Sequence, residues 1–256
     1  MKILRFLCPD RNIPTWGILE EGDIVAEVTS PFGKMSKTGK RFFLGNLRLL
    51  PPVRPSKIVA VGLNYKDHIL ELGQNVPEHP ILFLKPSTSV IGPGEPILLP
   101  PQSQRVDYEA ELAVVIRKKA FQVPKKSVHE YILGYTCFND VTARDIQTKD
   151  VQWTRAKSFD TFAPLGPWIV DDIDPGNAVV RCFVNGILKQ EGNTKMLLFP
   201  VDELVAFISS VMTLLPGDVI ATGTPQGVGP LSPGDIVVVE VEGIGILENP
   251  VAPRKT

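Results

Sequence analysis

VDYEAELAVVI, running from Val106 to Ile116, is the stretch whose reading decides the fold. As a β-strand, its side chains alternate between two faces. Tyr108, Ala110, Leu112, Val114 and Ile116 fall on one side, and Asp107, Glu109, Glu111, Ala113 and Val115 on the other. Three acids therefore project from one face of a strand whose remainder is apolar enough for a core. Like charges at that spacing repel, and burying a carboxylate without a partner costs several kcal/mol. A hard divalent cation resolves the conflict, because Mg²⁺, Mn²⁺ and Ca²⁺ prefer carboxylate oxygens. Taken alone, the stretch reads equally well as an exposed strand end with solvated acids.

Outward from this strand, GYTCFNDVTARDIQ, Gly134 to Gln147, reads as a second strand ending at Asn139-Asp140 and turning into a helix. Asp140 then stands where a strand hands over to a helix, a position suited to presenting a ligand. Asp140, Arg144 and Gln147 are spaced by four and three residues and share a helix face. An acid, a cation and an amide converging there suit an anionic substrate bound beside a metal. The plainer alternative is a helix-capping Asp140 with a surface Arg144–Asp145 pair.

Upstream, GLNYKDHILE, Gly62 to Glu71, follows the strand-like run IVAV and reads as a turn entering a short helix. His68 and Glu71 are three residues apart on that helix, close enough for the carboxylate to orient the imidazole for general-base work. A surface His–Glu pair is the competing reading. His79 and His129 have no such neighbours and read as structural or surface residues. Downstream, Lys157 in TRAKSFDTFAPLG lies in a polar patch bounded by aromatic and apolar residues, where an ammonium can hold a developing enolate. A solvated lysine is the ordinary explanation for any single one. The loop TGTPQGVGP, Thr222 to Pro230, lacks the Gly-Lys-Ser/Thr ending of a phosphate loop and the strand–GxGxxG–helix setting of a dinucleotide fold. It marks no nucleotide site.

The wider chain is consistent with a β-rich protein. Among its 256 residues are 21 Gly and 24 Pro, which punctuate short apolar runs such as IVAVG, ILFLKP, PILLP and DIVVVEVEG. The fold class is therefore mainly β with short helices (α+β). One helix is explicit: Val201, Leu204, Val205, Ile208, Met212 and Leu215 keep helical spacing, Asp202 and Glu203 occupy its first turn, and Pro216-Gly217 is expected to end it. Residues 1–55 form a small β-rich unit and linker, with strands at Met1–Leu7, Thr15–Leu19 and Ile24–Val28, and residues 56–256 form the main domain. The formal net charge of −1 calls for neither nucleic acid nor an anionic membrane as a partner. No run approaches the roughly 20 apolar residues that span a bilayer. Cys8, Cys137 and Cys182 lack CxxC spacing and fit reduced thiols in a cytoplasmic protein.

GLNYKDHILE, FLKPSTSVIGPGEPI, VDYEAELAVVI, DVTARDIQ, AKSFDTFAPLGPW and ATGTPQGVGP, in this order from about Lys57 to near the C-terminus, resemble the fumarylacetoacetate hydrolase family. The resemblance implies a rolled β-sandwich catalytic domain, a homodimer, and Mg²⁺ (or Mn²⁺) bound by Glu109, Glu111 and Asp140. It implies a lid carrying His68 and Glu71, with Lys157, Arg144, Gln147 and Thr224 lining the pocket, and does not carry Asp107 over as a ligand. The short N-terminal part is unlike that of fumarylacetoacetase itself and favours the smaller acylpyruvate hydrolase and oxaloacetate decarboxylase branch. The expected activity is metal-dependent C–C bond hydrolysis or decarboxylation of 2-oxo acids. An isomerase of the 2-hydroxyhepta-2,4-diene-1,7-dioate type is the nearer alternative, and a non-catalytic metal- or anion-binding scaffold the more distant one.

Overall fold

The computed structural model describes residues 1–71, 73 and 75–254, with backbone alone for His68, Ile69 and Glu71. Among the described residues, a twelve-stranded sheet forms the frame. Its centre is the strand Ala110–Ile116, paired antiparallel with Ile132–Asn139 on one side and Val219–Ala221 on the other. Lys57–Gly62 and Ile81–Pro86 continue the sheet beyond Val219–Ala221. Every residue of Ala110–Ile116 is buried, as expected for a central strand covered on both faces.

The alternation read from the sequence sorts two cores. Ala110, Leu112, Val114 and Ile116 join a large cluster with Val180, Cys182, Val237, Val239, Val241 and Leu247. Those partners belong to a second, five-stranded sheet that includes Val179–Val184, Ile236–Val241 and Gly245–Pro253, so this core is the filling of a β-sandwich. Ala113 and Val115 face the other way, against Ile58, Ala60, Val219 and Ala221. Burying each large aliphatic side chain contributes about 1.5–3 kcal/mol, so the central strand is the best-anchored part of the chain.

The expected N-terminal strands are present at Lys2–Leu7, Pro14–Glu20 and Ile24–Val28, followed by two more at Lys37–Phe43 and Arg48–Leu50. They extend the main sheet through Lys2–Leu7, which pairs antiparallel with Ala163–Val170. They also carry a small core of Leu4, Phe6, Cys8 and Val25. All three cysteines are buried and unpaired.

Among the described residues the α-helices are short: α1 (Lys66–Glu71), α2 (Arg144–Lys149), α3 (Thr154–Lys157) and α4 (Val201–Val211). α4 buries Val201, Leu204, Val205 and Ile208, the face marked by its periodicity. It ends at Val211, not at Pro216-Gly217, because Met212 is already extended and Leu214 exchanges two backbone hydrogen bonds of 2.9 Å with Ala120. Among the described residues no helix is long and apolar enough to cross a membrane.

Candidate metal centre

The stretch 106–116 is two strands, not one. Val106–Tyr108 belongs to a small three-stranded sheet, Ala110–Ile116 to the main sheet, and Glu109 sits at the break. The Asp140 N–H donates to the Glu109 carbonyl at 2.8 Å, and the Asn139 side-chain oxygen accepts the Glu109 N–H at 3.0 Å. These bonds fasten the 132–139 strand end to the acidic strand and bring Asp140 to Glu109 and Glu111.

Carboxylate oxygens of Glu109, Glu111 and Asp140 lie within 4.8 Å of one another, and all three residues are buried. The solvated reading is thereby set aside. Asp107, on the same sequence face, goes elsewhere: it is fully buried and accepts from Arg105 Nε and Arg144 Nε, each at 2.9 Å.

Asp140 is neither the first residue of a helix nor its cap. The short strand Thr142–Ala143 intervenes, pairing with Val106–Asp107, and α2 starts at Arg144 with Ala143 as its N-cap. Arg144 and Gln147 do share a helix face and are hydrogen-bonded to each other. Arg144 also binds Glu109, so the surface pair with Asp145 is not formed; Asp145 instead accepts from Ser103 Oγ and Gln104 N.

Lys157, the last residue of α3, is buried and donates to Glu109 Oε2 at 2.9 Å and Asp140 Oδ2 at 2.6 Å. Burial alone would lower its pKa, but Asp140 and Glu109 outweigh that and hold it above the ordinary lysine value. Its ammonium lies 5.0 Å from the centroid of the Phe83 ring. Thr224 is buried, donating to Ala110 O at 2.8 Å and accepting from Gln190 Nε2 at 2.9 Å. From the glycine-rich loop, Gly223 N–H donates to Glu111 Oε2 at 2.8 Å. At φ +101° and with the Asn64 Cβ only 2.9 Å from where a Cβ would stand, that position requires glycine.

Lys85 was missed from the sequence. It has no solvent exposure and reaches Asp140 Oδ1 at 2.5 Å and the Val141 carbonyl at 3.1 Å. Burial drives its pKa down despite Asp140. Its signal was two-residue spacing: Phe83, which lines the cavity, and Lys85 fall on one face of the Ile81–Pro86 strand.

The acids face a cavity of about 340 Å³ whose wall includes Gly62, Phe83, Arg144, Gln147, Trp153, Lys157 and Thr224. A Cβ on Gly62 would stand 2.5 Å from the Trp153 ring, so glycine there lets the indole close the wall. The backbone of α1 forms as expected. The side chains of His68 and Glu71 lie outside the described residues. His79 stacks on Phe207 with ring centroids 6.2 Å apart, and His129 is exposed.

The donor set fits a hard divalent ion. Asp107, Glu109, Glu111 and Asp140 are all buried, and among the described residues the cations bonded to them are Lys85, Arg105, Arg144 and Lys157, none of them bonded to Glu111. The shortfall falls on Glu111. Burial first, then repulsion from Asp140 and Glu109, push its pKa well above the ordinary carboxylate range, and the Gly223 N–H offsets this only in part. A divalent cation would reverse that cost, since it favours ionised oxygen ligands.

Comparison with known proteins agrees with this architecture. The fumarylacetoacetate (FAA) hydrolase C-terminal family model matches residues 57–252, and an Rv2993c-like N-terminal model matches residues 1–52. A mainly β sandwich built around buried carboxylates is the class the structure defines, and the chain belongs to the fumarylacetoacetate hydrolase family. A mitochondrial oxaloacetate tautomerase of Xenopus laevis is 46% identical over 80% of this chain and 69% of that protein. The crystal structure of 2-hydroxyhepta-2,4-diene-1,7-dioate isomerase from Mycobacterium marinum is 43% identical, with TM-score 0.93 and both chains covered in full. Maleylpyruvate hydrolase from Sphingobium sp. SYK-6, solved with manganese(II) and pyruvate, is 30% identical, with TM-score 0.82 and both chains again covered in full.

Proposed function

We propose that this chain is a divalent-metal-dependent enzyme that interconverts keto and enol forms of a small 2-oxo acid, with oxaloacetate as the leading substrate. The observation that carries the proposal is the meeting of buried Glu109, Glu111 and Asp140 with the Lys157 ammonium at one cavity. The sequence reading put C–C cleavage first. The 46% identity to an oxaloacetate tautomerase, against 30% to a maleylpyruvate hydrolase, moves proton transfer ahead of it.

Glu109, Glu111 and Asp140 would hold Mg²⁺ or Mn²⁺, which supplies Lewis acidity toward the keto group of a 2-oxo acid. The remaining work belongs to the chain. Lys157, kept cationic by its carboxylate neighbours, offers a fixed positive charge where the keto oxygen gains negative charge. Arg144 and Gln147 offer donors for a second carboxylate. Phe83 and Trp153 supply an apolar wall that limits water and strengthens those interactions. His68, with Glu71 three residues on in the sequence, is assigned the removal of the proton from the carbon beside the keto group. In support, α1 follows closely on Gly62 and Leu63, both of which line the cavity.

C–C hydrolysis or decarboxylation is the second reading, favoured by the manganese and pyruvate in the maleylpyruvate hydrolase structure. In hydrolysis His68 would direct water to the distal carbonyl, and the pyruvate enolate would leave toward Lys157. The test is to supply the purified protein with Mg²⁺ or Mn²⁺ and offer oxaloacetate, acetylpyruvate and 2-hydroxyhepta-2,4-diene-1,7-dioate separately. NMR would follow the keto–enol ratio and mass spectrometry the products. Accelerated interconversion of oxaloacetate at unchanged mass is expected. Turnover restricted to fragments of acetylpyruvate, or to loss of carbon dioxide from oxaloacetate, would favour the second reading. No turnover of any substrate by metal-loaded protein would contradict both and leave the scaffold alternative.

A further inference from the structure

Away from the carboxylate centre, a second cavity of about 560 Å³ opens between the N-terminal strands, the linker Pro51–Pro55 and the turn Ser87–Ser89. It shares no lining residue with the metal centre. Arg5 in its wall is only 7% exposed, although it sits mid-strand between the partners Trp16 and Leu50. A buried guanidinium ordinarily has a carboxylate partner, because desolvating an unpaired charge is costly. Among the described residues Arg5 has no ion pair. Its contacts are one long hydrogen bond to Pro51 O at 3.4 Å and the Trp16 ring, 5.9 Å from centroid to guanidinium carbon.

A second cation, Arg54, lines the same cavity, as do Ser87 and Thr88. Burial, and then the like charge of Arg54, lower the Arg5 pKa, so the two guanidiniums feel one another. The one acid in the lining, Glu95, is engaged elsewhere: it accepts the Gly92 N–H at 2.7 Å and lies 3.4 Å from Arg48. Two cations without an acid of their own, beside two hydroxyl-bearing residues, form a receptor for a small dianion. Guanidinium pairs with planar carboxylate and with tetrahedral phosphoryl oxygens alike, often through two parallel hydrogen bonds.

We propose that Arg5 and Arg54 form a second ligand site, separate from the metal centre, that binds a small dianion, either a phosphate group or a dicarboxylate.

The full chain, stripped of metal, would be titrated calorimetrically at fixed ionic strength with inorganic phosphate and, separately, with succinate. Saturable binding of at least one is expected, and which one binds tells phosphoryl from dicarboxylate recognition. Arg54→Gln, on the exposed rim, should weaken it about tenfold or more, and Arg5→Met should abolish it while leaving the fold intact. Arg144→Gln should leave it unchanged, because Arg144 belongs to the metal centre. Absence of saturable binding by either anion would overturn the proposal. So would binding that Arg144→Gln removes and Arg54→Gln leaves.

Discussion

Asp218 and Glu111 are both buried acids in the main sheet region, yet their surroundings are opposite in kind. Asp218 has every need met inside the chain. Its Oδ1 accepts Ser56 Oγ at 2.6 Å and Ser56 N at 3.0 Å, and its Oδ2 accepts Lys57 Nζ at 2.5 Å and Leu215 N at 2.8 Å. Although burial raises its pKa, Lys57 and Ser56 win, and it sits below the usual aspartate range. Glu111 has one backbone donor and two acids as neighbours, and its pKa is raised well above normal. The first acid is a finished structural joint. The second is a position where, among the described residues, no cation is bonded to the carboxylate.

The contrast can be broken most severely at the metal centre. Glu111→Gln and Glu109→Gln should each lower turnover of the best 2-oxo acid by about 10³-fold or more, equivalent to about 4 kcal/mol of lost stabilisation. Circular dichroism should show an unchanged fold, and Glu111→Gln should not lower the melting temperature of metal-free protein. Asp218→Asn should do the reverse. It should cost about 3–5 kcal/mol of stability by stranding Lys57, as denaturant unfolding would measure, while activity at low temperature survives.

A smaller effect is expected at Gly223, which among the described residues supplies the one backbone donor to the Glu111 carboxylate. Gly223→Ala should cost about 1–3 kcal/mol in an unfolding titration, because φ is positive and Asn64 stands in the way.

The smallest effect is a pH dependence. Glu111 has a folded-state pKa above its unfolded value, so its contribution favours the metal-free fold below the unfolded pKa of about 4.3 and fades as pH rises through the folded value. Mg²⁺ or Mn²⁺ takes the ionised form, so the rise in melting temperature on adding metal should grow as pH rises, by a few degrees. Asp218 carries the opposite sign: its contribution is present above the unfolded pKa of about 3.9 and is lost in acid, as pH falls through its lowered folded value. A shift on adding metal that is flat or falling with pH would show that Glu111 is not the strained ligand.

What could be read in advance follows from the range of each interaction. Glu109 and Glu111 were legible because strand alternation is local, and the two cores on either face of Ala110–Ile116 preserve it. Asp140 was legible as a strand end, but the start of α2 was not. The two-residue strand Thr142–Ala143 is held by pairing with Val106–Asp107, a long-range contact with no local pattern. The same holds at the end of α4, where the bridge from Leu214 to Ala120 overrides helical spacing. Lys85 ends an apolar run, where a lysine ordinarily reaches solvent, and only the fold reveals that Asp140 is at its tip. Asp107 shares the face of Glu109 and Glu111 by count, but the strand break at Glu109 and the two arginines take it out of the cluster.

Metal titration of the demetallated chain, by calorimetry in buffers of different ionisation enthalpy, tests the central claim most directly. Mn²⁺ should bind saturably at one site per chain, release a proton wherever Glu111 is still protonated, and lose both signals in Glu111→Gln. Absence of saturable binding, or binding that Glu111→Gln and Glu109→Gln leave untouched, would contradict the assignment of these carboxylates to a metal.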